Sequence, residues 1–422
     1  MVRPDQIERA HARSDWSIRR GLGTVYGPVM TTTTRLPTSL ADAVAAVEPV
    51  IRRHAAGAEQ SRVMAPEVMD ALISSGLLRM WVPTTYGGLE ADPNEALDVM
   101  EQLARIDSAT GWVVSNCVFI SMLSQFLPEP TRARILGNAG LVACGTFVPP
   151  GTARATADGY VINGDWSFGS ATHYATSIVT LTLLVDDHGD LVLRDGDPVS
   201  MVVYFGRDDV KFRDTWYTLG LRATGSTNFA VKDLAIRADH AYVLGPWEPS
   251  GPFAGPLYRI GLIIDAIRIA KVGVGIAQAA LDDFVELATA KTPAYTAVLT
   301  ADRATVQERV ARAQALVQAA RHTIRASVAE GWAAVQDGGR ITGPRCVPMG
   351  LAASFALESA TQAVDLLYQS AGTTAFRNES PLQQRFRDIE TLRQNAIASW
   401  SRYESLGKLI LGRPSDWPFH QL

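Results

Sequence analysis

The sequence predicts an α+β chain, mostly α: an N-terminal helical domain, a central antiparallel β domain and a C-terminal four-helix bundle. Three observations predict it. Apolar residues recur at helical spacing up to about residue 140 and again after about residue 256. Between them lie short runs of β-branched and aromatic residues separated by turn clusters. A Pro- and Gly-rich hinge at 245–255 marks the second change.

Residues 1–36 read as a disordered extension, or as the product of an upstream start codon with Met30 the true start. They lack the apolar core of a secretory signal. The helical domain is placed at 37–140. Leu40, Val44, Val47 and Ile51 share one face of its first helix. Pro66 opens a second helix, which Gly76 closes. Asp92-Pro93 starts a third, carrying Ala96, Val99, Leu103 and Ile106. Ala109 to Phe126 is apolar all round, which predicts burial.

The β domain is placed at 141–245. Its strands include Tyr160-Val-Ile, the run 177–185, the run 200–205 and Asn228-Phe-Ala-Val. Asn163-Gly164, Asp187-His-Gly189 and Asp195-Gly196 read as turns. The spacing suits an antiparallel sandwich or barrel. The bundle is placed at 246–422, with helices at about 256–290, 302–335, 346–371 and 382–411.

Composition excludes several functions. The formal charge is −4 on 422 residues, which argues against nucleic-acid binding. No stretch of about 18 apolar residues is free of charge, so no membrane span is expected. Three scattered cysteines form no metal motif or disulfide framework, which suits a reducing cytoplasm. No Gly-x-Gly-x-x-Gly follows a strand, and no P-loop occurs. His-Glu-x-x-His, Cys-x-x-Cys and Gly-x-Ser-x-Gly are also missing.

Five segments, in order, carry a resemblance. They are Gly76-Leu-Leu-Arg-Met-Trp-Val-Pro-Thr-Thr-Tyr-Gly-Gly88; Glu101-Gln-Leu-Ala-Arg-Ile-Asp107 with Gly111-Trp112; and Gly159-Tyr-Val-Ile-Asn-Gly-Asp-Trp-Ser-Phe-Gly-Ser170. Trp216-Tyr-Thr-Leu-Gly-Leu-Arg-Ala-Thr-Gly-Ser226 follows, then Tyr368-Gln-Ser-Ala-Gly372 with Pro381-Leu-Gln-Gln-Arg-Phe-Arg-Asp388. Over roughly residues 38–412 the chain resembles the acyl-CoA dehydrogenase superfamily, and within it the two-component flavin-dependent monooxygenases.

The resemblance implies reduced FMN as cofactor, with FAD possible, supplied by a separate NAD(P)H:flavin reductase. It implies O2 and a small, aromatic or heteroaromatic substrate, a C4a-hydroperoxyflavin as the oxygenating species, and a homotetramer. The dehydrogenase branch needs a carboxylate base. Here Ala396 stands where the family's Tyr-Glu-Gly-Thr glutamate would be, and Asp265 on the first bundle helix is the alternative base. A flavin-dependent desaturase or oxidase using Asp265, or a catalytically degenerate flavin-binding protein, are the other readings.

The resemblance assigns the site residues. Ser170 matches the serine that bonds the flavin. Asn395 stands where relatives carry a histidine, and Asp388, Thr391 and Asn395 are spaced to share one helix face. Asn can donate and accept but cannot titrate near neutral pH. Trp112 and Asn116 match the substrate side. Thr146, Phe147 and Val148 match the strand whose backbone approaches the flavin ring, and Trp166 and Phe168 its walls or the sandwich filling. Arg268, with Lys271 one turn on, is a candidate for a flavin phosphate. Gln369 and Gly372 match a position that reaches a neighbouring subunit's flavin. His173 reads as an exposed loop residue. No metal site is expected.

Overall fold

The structure is a computed structural model that describes residues 39–246 and 248–420. The expected extension at 1–36 lies outside the described residues.

Among the described residues five helices come first: α1 (Leu40–Ser61), α2 (Pro66–Ser74), α3 (Pro93–Ile106), α4 (Ser108–Met122) and α5 (Glu129–Leu136). Their starts follow from local chemistry. Ser39 caps α1, its Oγ accepting from Asp42 N. Asp92 caps α3 by accepting from Asn94 N and Glu95 N. Asp107 caps α4. Apart from Trp112, every residue of α4 is buried, as its uniform apolarity predicts.

Nine strands follow: β1 (Ala143–Ala155), β2 (Gly159–Gly169), β3 (Ser177–Val185), β4 (Leu193–Arg194), β5 (Asp197–Pro198), β6 (Ser200–Phe205), β7 (Lys211–Arg213), β8 (Thr227–Arg237) and β9 (Ala241–Val243). Seven form one sheet in the order β7-β8-β2-β1-β3-β6-β9. The expected all-antiparallel domain is corrected here, because β1 and β3 run parallel. The segment 170–176 carries the chain back across the sheet end rather than making a hairpin, which sets that direction.

The sheet curls on itself. The Trp166 ring on β2 stacks on Phe229 of β8 at 5.5 Å and lies 5.9 Å from Phe205 of β6, two strands beyond β2's neighbour β1. Its indole donates to Leu181 O at 3.1 Å. Gly164 is required beside it, since a Cβ there would fall 2.3 Å from the ring.

The bundle contains α6 (Ile264–Ala290), α7 (Ala304–Gln336), α8 (Val347–Ala371), α9 (Pro381–Leu392) and α10 (Arg402–Ile410). The expected fourth helix, 382–411, is two helices. The chain turns between 393 and 401, where Asn395, Ser399 and Ser401 offer side-chain bonds that compete with the helical ladder. Helix α6 is the hub, packing on α8, α3, α9, α7 and α4. Among the described residues no helix is long and apolar enough to cross a membrane.

Candidate active site

Ser170 stands where three parts of the fold meet. Phe168 takes φ +67° and Ala171 φ +58°, so β2 ends in a tight reversal closed by Ser170 N donating to Phe168 O at 2.9 Å. The reversal turns the Ser170 hydroxyl inward, where the residue is 3% exposed. The Trp112 indole on α4 donates to Ser170 Oγ at 2.9 Å. Ser226 Oγ lies 2.6 Å from Ser170 Oγ, and Thr224 Oγ1 lies 2.7 Å from Ser226 Oγ. Thr224 in turn donates to Leu221 O at 2.7 Å, which also accepts from the Trp216 indole at 3.1 Å.

The turn that supplies these hydroxyls is pinned to the bundle. Leu221 N donates to Asp388 Oδ1 on α9 at 2.6 Å. Arg387 donates to Leu219 O at 2.6 Å and to Glu59 of α1 at 2.8 Å. Gly220 has to be glycine, because a Cβ would fall 2.2 Å from Arg387 O. Asp388 is buried, and desolvation pushes its carboxyl up to about 7; the Leu221 N–H opposes the rise and Glu59 adds to it.

A second polar cluster sits on the other side of Trp112. Asp265 and Arg268 of α6 form an ion pair in which both are buried. Arg268 also donates to Ser115 Oγ at 3.3 Å and Asn116 Oδ1 at 3.4 Å. Its guanidinium lies 5.0 Å from the Phe119 ring and 5.5 Å from the Trp112 ring. Burial raises the Asp265 carboxyl, with Arg268 opposing; burial lowers Arg268, with Asp265 opposing. Arg268 is therefore engaged inside the protein and is not placed to meet a phosphate. Lys271 is also committed: it pairs with Asp98 at 2.8 Å and with Glu101.

The strand positions divide. β1 breaks its ladder with β3 between Thr146 and Gly151, and β2 breaks its ladder with β8 between Trp166 and Gly169. The two breaks lie at the same end of the antiparallel β1–β2 pair. Thr146 and Phe147 are half-buried there, while Val148 and Phe168 are more than half exposed. Phe168 meets Trp216 edge to face at 6.4 Å. Trp166 is fully buried between Phe229 and Phe205, so it fills the curled sheet and walls no outside ring.

Four other positions are set elsewhere. Asn395 lies beyond the end of α9, so it does not share a helix face with Asp388 and Thr391. Its Oδ1 accepts from Ile397 N at 3.0 Å, which closes a local turn. Gln369 and Gly372 are exposed at the end of α8; Gln369 bonds Asp365 at 2.8 Å, and neither bonds to the Ser170 cluster. His173 is half-buried on Phe212, with ring centroids 4.8 Å apart, and burial lowers its pKa. Residue-by-residue reading of the sequence left Thr224, Ser226 and the Leu221 peptide without roles. The available signal was the pairing of Thr and Ser two residues apart beside Gly225.

Family models described as acyl-CoA dehydrogenase, N-terminal domain, and acyl-CoA dehydrogenase, C-terminal domain, match residues 39–139 and 267–400. An indole-3-acetate monooxygenase of Pseudomonas putida is 28% identical over 84% of this chain and 89% of its own length. The oxygenase subunit HsaA of a flavin-dependent monooxygenase from Rhodococcus jostii is 26% identical over 83% of this chain and 92% of its own. The solved structure of XiaF from Streptomyces sp., in complex with FADH2 and glycerol, shares the fold with a TM-score of 0.81 at 24% identity, over 90% of this chain and 97% of that one. The two family models between them span more than half of the sequence, one on each side of the curled sheet, and the chain belongs to the acyl-CoA dehydrogenase superfamily.

Proposed function

We propose that this chain is the oxygenase component of a two-component flavin-dependent monooxygenase. It takes reduced flavin from a separate NAD(P)H:flavin reductase and transfers one oxygen atom of O2 to a small aromatic or heteroaromatic substrate. The other atom leaves as water, and the flavin departs oxidised. The observation that carries the reading is the Ser170 hydroxyl, held where the end of β2 meets α4 and the β7–β8 turn, beside the ladder breaks in β1 and β2.

The residues fit a flavin. A flat ring with a polar edge needs exposed apolar surface next to strand backbone outside a ladder. Val148 and Phe168 supply the first, and the breaks after Thr146 and Trp166 supply the second. When bound, reduced flavin supplies the electrons that activate O2. The chain's part is to hold that ring, bond its edge through Ser170 and exclude water with the apolar wall of α4. The relatives named as flavin-dependent or indole-directed monooxygenases support the flavin and the aromatic substrate class.

The dehydrogenase alternative finds no ready base. The turn 393–401, which includes Ala396, has no carboxylate, and Asp265 is ion-paired with Arg268. A cytoplasmic homotetramer is the assembly we propose with this reading.

The test supplies photoreduced FMN anaerobically, then isotopically heavy O2, with a panel of phenols and indoles. One heavy oxygen atom in a product is expected. Peroxide alone with every substrate overturns the reading, and reduction of bound flavin by an acyl-CoA thioester establishes the desaturase instead.

A further inference from the structure

The hydroxyl run from Trp112 to Leu221 has a single direction, and it follows from counting protons. Leu221 C=O has no proton to give, so Thr224 donates its only one there. Thr224 Oγ1 must then accept from Ser226 across their 2.7 Å contact. The Ser226 proton is thereby committed, so Ser226 accepts from Ser170 at 2.6 Å. The Trp112 indole only donates, and it donates to Ser170. Every proton points away from Trp112 and towards Leu221. Ser170, Ser226 and Thr224 are each no more than 3% exposed, so water does not reset the direction.

We propose that this polarised run makes Ser170 an acceptor, and not a donor, towards whatever lies beside it, and that Ser226 and Thr224 are positioning residues that enforce it. A hydroxyl oxygen can accept two hydrogen bonds. Trp112 uses one, and the other serves the ligand. The inference rests on the flavin reading above. The central ring nitrogen of reduced flavin, N5, carries a hydrogen; in oxidised flavin the same atom is a bare lone pair. An acceptor-only Ser170 pairs with the first and opposes the second. The site thereby favours binding of the incoming reduced cofactor and release of the outgoing oxidised one. Ser226 and Thr224 touch neither ring nor substrate in this scheme. They act only through Ser170.

The experiment measures Kd for photoreduced FMN, anaerobically, and for oxidised FMN. It uses the wild type and the variants S226A, T224V and T224S. The wild type is expected to bind reduced FMN more tightly. S226A frees the Ser170 proton to donate, so the ratio of the two Kd values should narrow by roughly three- to tenfold, the effect of one hydrogen bond. T224V should narrow it similarly, since it removes the acceptor that orients Ser226. T224S keeps the hydroxyl and should restore the wild-type ratio, which a packing effect at this position would not do. Wild-type ratios in S226A and T224V overturn the polarity alone. A wild type that binds neither form overturns the flavin reading and this inference with it.

Discussion

Asp388 is a buried carboxyl whose bonded neighbour is the Leu221 peptide N–H, while Arg387 beside it turns to Glu59 and Leu219. Its folded-state pKa, about 7, lies above the roughly 3.9 of an unfolded aspartate. Between those values the folded protein holds a proton that the unfolded chain has lost. Stability from this group therefore falls as pH rises through that window and is level above it. Asp388→Asn keeps an oxygen for Leu221 N and removes the charge. Denaturant unfolding at pH 5 and pH 8 should show D388N gaining on the wild type at the higher pH, on the order of a few kcal/mol. An equal difference at both pH values would show that Asp388 is charged throughout. At this scale the sequence was informative about identity and poor about duty. Ser170 and Asp388 fall inside short motifs that can be picked out by eye. That Thr224 and Ser226 extend Ser170 depends on the Leu221 turn lying against β2, a contact between residues more than 50 positions apart.

Trp166 shows how an element assigns a side chain its surroundings. Alternation along β2 sends Trp166 to one face and Ser167 to the other, but it does not say which face lies inside until the sheet curls. Trp166→Phe removes the bond to Leu181 O and part of the ring volume. It should lower stability by about 1–3 kcal/mol and leave the affinity for reduced FMN within about twofold of wild type. A loss of flavin affinity much larger than the loss of stability would place the ring at the cofactor after all. Helix positions were largely legible, because caps and Pro–Gly punctuation are local: Ser39, Asp92, Asp107 and Pro66 each stand where a helix starts. The break between α9 and α10 was not. Residues 393–401 keep adequate helical propensity, and the turn is stabilised by side chains bonding to nearby groups instead. The parallel pairing of β1 with β3 was also hidden, since pairing direction depends on how 170–176 crosses the sheet.

Across the whole molecule, buried charge ties the parts together. Arg268, paired with Asp265 on its own helix, links α6 to α4 through Ser115 and Asn116, and Lys271 with Asp98 and Glu101 links α6 to α3, with Arg321 and Arg325 of α7 reaching the same two acids. Arg268→Met strands a buried carboxylate and should cost about 3–5 kcal/mol, while D265L/R268M should recover most of that. Denaturation midpoints of the two variants decide it; a double variant as weak as the single one would mean that Arg268 acts through its packing on Phe119 and Trp112. The three-part architecture was readable from changes of hydrophobic period, but these ties were not, because charged residues on a helical stripe look the same whether they face water or a neighbouring helix. Leu221 is gripped on both sides, its N–H by the bundle and its C=O by two side chains of its own turn. Sheet and bundle cannot part locally without exposing that amide to solvent. Leu221 therefore serves as a clock for their separation: a loop amide that should exchange its hydrogen for deuterium as slowly as the core of a helix, and whose rate reads out how often the two halves come apart.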